Sequence, residues 1–137
     1  MKFEASPIAK SQPYQRIELP FGNYFLLDNY FVMEVHEGEH IDTEKVAVLI
    51  ESLITHYGSR KKLAYIANRI NNYSIDPILW SYFDAEDNIL VAASIISYRE
   101  STAMSATLEK ELASISIKRA SNLDEAVEWI STLKELN

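Results

Sequence analysis

The sequence predicts an α/β domain: a mixed sheet with an N-terminal antiparallel hairpin followed by β-α units, and helices packed on the sheet. Three observations carry this prediction. Aromatic and β-branched stretches at residues 23–28 and 30–36 flank Asp28-Asn29, a pair suited to a tight turn. Strand-like and helix-like segments alternate from residue 43 to the end, the pattern that joins parallel strands through crossovers. The late stretch ILVAASII, Ile89 to Ile96, is apolar on both faces, as in strands covered from two sides.

Each element has a local reason. Ile17 to Leu19 is a short strand stopped by Pro20. In the second arm of the hairpin, Phe31, Met33 and Val35 share one face, with Glu34 and His36 on the other. Val46, Leu49, Ile50, Leu53, Ile54 and Tyr57 then form one helical stripe. Asp42 or Thr43 caps that helix, Glu44 suits its positive end, and Gly58 ends it. Burial of those six side chains contributes on the order of 10 kcal/mol before chain entropy is subtracted. Leu63 to Ala67 is a buried strand after the basic turn Arg60-Lys61-Lys62. A short helix is expected from Pro77 to Phe83, with Asp76 as its N-cap and Pro77 in its first turn. A second is expected from Ser101 to Leu112, with Met104, Leu108 and Leu112 four residues apart. Ile115 to Arg119 is the last strand. Asn122 with Glu125 opens the terminal helix as a capping box, ahead of the stripe Leu123, Ala126, Val127, Ile130 and Leu133. Residues 1–14, with Pro7 and Pro13, read as a loose arm or an added strand, and residues 15–137 as a single domain.

Composition removes several function classes. With 137 residues the chain is one domain, and its net charge of −7 opposes a phosphate-backbone footprint, so no nucleic-acid partner is expected. Cysteine is absent, which excludes disulfides and thiolate chemistry, and three scattered glycines leave no Gly-rich phosphate cradle. No apolar run is long enough for membrane insertion, and no signal-peptide core is present, so a cytoplasmic location is expected. His36-Glu37-Gly38-Glu39-His40 matches the H-E-x-x-H zinc pattern in letters. That chemistry needs a helix, whereas this stretch follows a strand, contains Gly38 and precedes a cap; no metal site is assigned to it. Asp84, Glu86 and Asp87 read as a solvated turn, and no catalytic residue or cofactor is assigned. Trp80 with Tyr82 and Phe83 could line a groove, but the strands and helices use up most of the apolar residues, leaving little for a large hidden site.

The polar run that follows the buried strand stands out: Asn68, Arg69, Asn71, Asn72, Ser74 and Asp76. Crevices outside the carboxyl ends of sheet strands are preferred ligand and partner sites. The same residue types also serve as turn and cap hydrogen bonders. Ser74, if it lies at a helix entrance, is a place where an added phosphate is stabilised, making it the phosphorylation candidate.

The stretches LPFGNYFLLDNYFVMEVHEGEHID, YIANRINNYSIDP and IKRASNLDEAVEWI, together with the element order over residues 15–136, resemble the SpoIIAA-like branch of the STAS fold. They are similar to small bacterial proteins of STAS or Sec14-like type. The resemblance implies a non-enzymatic interaction or regulatory domain akin to anti-sigma factor antagonists, whose loop carries an Asp-Ser-Ser/Thr-Gly-type phosphorylation motif. Here the loop holds Ser74 with no Asp before it, no second Ser and no Gly after it, so the phospho-switch motif is not intact. The expectation is a protein partner bound through residues 68–76, with possible homodimerisation through the hairpin edge. The alternative is a small apolar-ligand or lipid-binding domain of Sec14-like type.

Overall fold

The computed structural model describes residues 1–76, 79, 89–99, 104, 106, 109 and 115–136. Among the described residues, eight strands run β1 (Gln15–Leu19), β2 (Gly22–Leu26), β3 (Tyr30–Val35), β4 (His40–Ile41), β5 (Leu63–Arg69), β6 (Ser74–Ile75), β7 (Leu90–Ser97) and β8 (Ser116–Ala120). The helices are α1 (Pro7–Ser11), α2 (Thr43–Tyr57) and α3 (Leu123–Ser131). The expected helices at Pro77–Phe83 and Ser101–Leu112 lie outside the described residues, apart from Leu79 and the helical Met104, Ala106 and Glu109.

Six strands make the main sheet in the order β1-β2-β3-β5-β7-β8. The first three are antiparallel and the rest parallel, so the mixed sheet expected from the alternation of elements is present. Close approach fixes the β2–β3 register: a Cβ on Gly22 would stand 2.7 Å from the Glu34 carbonyl oxygen, so no side chain fits there. The Asp28-Asn29 turn is tied to α2, because Tyr57 Oη donates to the carbonyls of both Leu27 and Tyr30. Asp42 is the cap of α2, its Oδ1 accepting from the Lys45 amide at 3.1 Å. At α3, Asn122 Oδ1 accepts from the Glu125 amide at 2.8 Å, and Glu125 Oε2 reaches back to the Ser121 amide at 3.0 Å.

Alternation along the strands sends apolar residues to both faces, and both are covered. Tyr24, Phe31, Met33, Leu63, Ala67 and Ile95 pack with Val46 and Leu53 of α2. Phe25, Val32, Ala64, Ile66 and Ile96 pack with Leu123, Ala126 and Ile130 of α3. The second core also contains Phe3 and Ile8. Residues 1–14 are therefore neither a loose arm nor an added strand. They form a 3-10 turn, Phe3–Ala5, and then α1, with Ser6 as cap. Phe3 is fully buried, stacked on Phe25 at 4.7 Å between ring centroids and meeting Tyr14 edge-on at 5.0 Å. Its amide donates to the buried Glu34 carboxylate at 2.7 Å. A segment this short is held by burial and that hydrogen bond, which local periodicity does not display.

The aromatic hairpin is not a free edge. β1 pairs along the whole of β2, and β1 shows solvent a polar row in which Arg16 bridges Glu4 at 2.8 Å and Glu18 at 3.0 Å. Charged side chains of this kind discourage edge-to-edge pairing. Among the described residues, no helix is long and apolar enough to cross a membrane.

Two outcomes test this packing. Phe3→Ala is expected to lower unfolding free energy by about 3 kcal/mol in urea denaturation; a loss below about 0.5 kcal/mol, the range of ordinary surface changes, contradicts a core role for the arm. Burial pushes the Tyr30 phenol from its ordinary 10 up to about 12. The unfolded chain ionises first, so stability is intact below pH 10 and is lost as the pH rises towards 12. The thermal midpoint should fall less steeply between pH 10 and 12 in Tyr30→Phe than in the parent chain, and an unchanged slope contradicts the assignment.

Candidate functional site

β5 ends on two adjacent polar residues that pleating sends to opposite faces. Asn68 turns to the face covered by the N-terminal segment. Its Nδ2 donates to the Glu34 carboxylate at 2.7 Å and to the Met1 carbonyl at 2.9 Å, while Tyr98 Oη donates to its Oδ1 at 2.8 Å. Arg69 turns to the α2 face, where it bonds the buried Glu109 carboxylate at 2.6 Å. Its guanidinium also lies 5.5 Å from the centre of the Tyr73 ring. Burial works against the charged form, but Tyr73, Glu109 and Tyr65 more than offset it, so the Arg69 proton is held more tightly than usual. The phenols of Tyr65 and Tyr73 are pushed up, chiefly by burial, and both are neutral at ordinary pH.

Beyond Arg69 the chain turns back across the carboxyl end of the sheet. Asn71 Nδ2 donates to the Val35 carbonyl at 2.9 Å, and the Asn72 amide donates to the Glu37 carboxylate at 2.6 Å. The Gly38 amide returns a bond to the Asn72 carbonyl at 2.8 Å. Ser74 and Ile75 then pair in parallel with His40 and Ile41. The H-E-x-x-H letters accordingly fall on a turn, with Gly38 at φ +82° and His40 already in β4. Asp76 continues the brace, its amide donating to the Ile41 carbonyl at 3.0 Å.

Under this β4–β6 ribbon lies a cleft between α2 and the sheet. Its empty space is about 670 Å³, counting the open mouth. α2 supplies Val46, Leu49, Ile50 and Leu53, and β3 supplies Phe31, Met33 and Val35. Ile41 and Ile75 of the ribbon also border it, with Tyr73 beside them. Tyr65, stacked on Phe31 at 5.1 Å, adds a second phenol. Lys45, in the first turn of α2, is the one charged residue that lines it among the described residues. The lining has the apolar character of small-molecule sites.

The cleft is an open one whose walls are shared with the core, in keeping with the expectation that little apolar content is left for a large hidden site. Leu49 and Ile50 belong to the stripe of α2 yet remain only partly buried, so the same side chains serve the core and line the cleft. The six candidate residues part company. Asn68 and Arg69 are interior, Asn71 and Asp76 are half-buried, and Asn72 and Ser74 are exposed. Ser74 stands on β6, with its Oγ hydrogen-bonded to His40 Nδ1 at 2.7 Å. Trp80, Tyr82 and Phe83 lie outside the described residues. Sequence reasoning did not single out Lys45, Tyr65 or Tyr73. A signal for Lys45 was present: it occupies the third helical position, where a capping box would carry Glu or Gln.

No family model matches the chain, and no curated protein matches it. Among solved structures, it is similar to an uncharacterised protein of the DUF3478 family from Shewanella loihica PV-4, which has a SpoIIAA-like fold. The similarity has a TM-score of 0.50 at 10% sequence identity and covers 85% of this chain and 91% of that one. At that identity the likeness speaks to architecture, and it agrees with the strand order and the helix-covered sheet described above. The chain has a SpoIIAA-like fold.

Proposed function

We propose that the chain is a non-enzymatic domain that binds a small, largely apolar molecule in the cleft between α2 and the sheet. The observation that carries this reading is the cleft itself: open space lined by Leu49, Ile50, Leu53, Phe31 and Met33, with two neutral phenols, Tyr65 and Tyr73, as polar markers. Hydrocarbon walls favour a ligand by removing apolar area from water, at roughly 25 cal/mol per Å². The two phenols hydrogen-bond to one another, and Tyr73 also to Arg69, so their polarity is settled within the wall of the cleft. The reading accords with the Sec14-like side of the sequence resemblance.

A second reading keeps a protein partner at residues 68–76. Its support is narrower than the sequence suggested, because only Asn72 and Ser74 present exposed side chains there. The two readings share the β4–β6 ribbon, whose outer edge carries Ser74 and whose inner side borders the cleft with Ile75.

The neutral fluorophore Nile red distinguishes them. The parent chain should bind it with a blue-shifted, saturable emission. Leu49→Trp, which fills the cleft, should weaken binding at least about tenfold, a difference of about 1.4 kcal/mol, while the folded far-ultraviolet dichroism is retained. Binding that is unsaturable, or unaffected by Leu49→Trp, contradicts a ligand cleft. Capture of a protein partner that is lost in the Asn72→Ala, Ser74→Ala double variant would support the second reading instead.

A further inference from the structure

We infer that the ligand of the cleft is an amphipathic carboxylic acid, with its hydrocarbon body against α2 and its carboxylate on Lys45. This inference rests on the ligand-binding reading above and adds the chemistry of the head group. Lys45 lines a cleft whose other described walls are hydrocarbon and phenol. Its Nζ donates to the His40 carbonyl at 2.6 Å, which draws the ammonium towards β4 and leaves two of its three donors unused by that bond. Among the described residues no carboxylate lies within 4 Å of Lys45 Nζ, although the chain carries 20 acidic residues against 13 basic ones.

The neighbouring acids have other work. Asp42 Oδ1 accepts from the Lys45 amide, and Glu37 accepts from the Asn72 amide. The lysine also stands in the first helical turn, where an acidic side chain would suit the helix and a basic one opposes its dipole. A cation placed against both the helix preference and the acidic composition, at the edge of an apolar cleft, complements a molecule with one anionic end and one apolar end. Arg69 does not compete for that head group, because Glu109 and the Tyr73 ring already hold its guanidinium.

Calorimetric titration of the full chain with octanoate and with octanol tests this. The parent chain should prefer octanoate, and added salt should weaken octanoate binding alone. Lys45→Met, which keeps the apolar stem, should reduce that preference about fivefold, the scale of one partly exposed ion pair. Lys45→Gln, a more conservative change at a half-exposed helix position, should do the same. Equal affinity for acid and alcohol in the parent chain, or a preference that survives both substitutions, overturns the head-group assignment while the cleft reading stands. Failure of the parent chain to bind either molecule overturns both.

Discussion

Asn68 and Arg69 close the carboxyl end of β5, the strand between β3 and β7, and both are buried. Burying a guanidinium or amide costs free energy that hydrogen bonds inside the fold offset, fully for Asn68 and in part for Arg69, whose Nε has no hydrogen-bond partner among the described residues. That cost commits Arg69 to Glu109 on one face and Asn68 to Glu34 on the other. From these two anchors much of the remaining architecture follows. Glu34, held by Asn68, receives the amide of Phe3 and so seats the N-terminal segment over the second core. Arg69, with its charge against the Tyr73 ring, fixes where the chain leaves the sheet and how it returns over the carboxyl ends of the strands. Removing one member of such a pair strands a buried charge, so Asn68 and Arg69, the first two residues of the polar run, serve the fold's interior.

The return path creates the cleft. Asn71 ties it to the end of β3, Asn72 ties it to the Glu37–Gly38 turn, and the β4–β6 ribbon places Ile41 and Ile75 beside the upper part of α2. The lower part of α2 is drawn to the sheet by Leu53 in the core and by Tyr57 bonded across the hairpin turn. Leu49 and Ile50, between those two regions, stay partly exposed to the open space. A helix fastened firmly at one end and bridged by a short ribbon at the other leaves a site between, without any special catalytic residue being needed to build it.

Much of the framework was legible because it is written in local pattern. The stripe of α2 apart from the exposed Ile54, the Asp28-Asn29 hairpin, the Asn122–Glu125 cap and the doubly apolar β7 each follow from spacing within a few turns or one strand. The site was less legible. Asn68 and Arg69 look like surface polar residues until their partners are known, and those partners stand 34 and 40 residues away in sequence. Asp76-Pro77 is a good helix start in the sequence, and nothing local announces that Ser74-Ile75 pairs with His40-Ile41. Such a ribbon is too short to leave a periodic signature. Phe3 was hidden for the same reason, in a segment whose prolines and charges suggest a loose arm. The cleft itself is a matter of fit between α2 and the sheet, and composition counts its walls as core.

The most direct test of the account is a methyl-labelled nuclear magnetic resonance titration of the full chain with octanol. Ile41, Leu49, Ile50 and Ile75 border the cleft, whereas Ile8, Ile66 and Ile130 report the opposite face of the sheet. The account predicts saturable shifts at the first set and still resonances at the second. Shifts centred on the second set, or none on either face, would contradict a ligand site between α2 and the sheet.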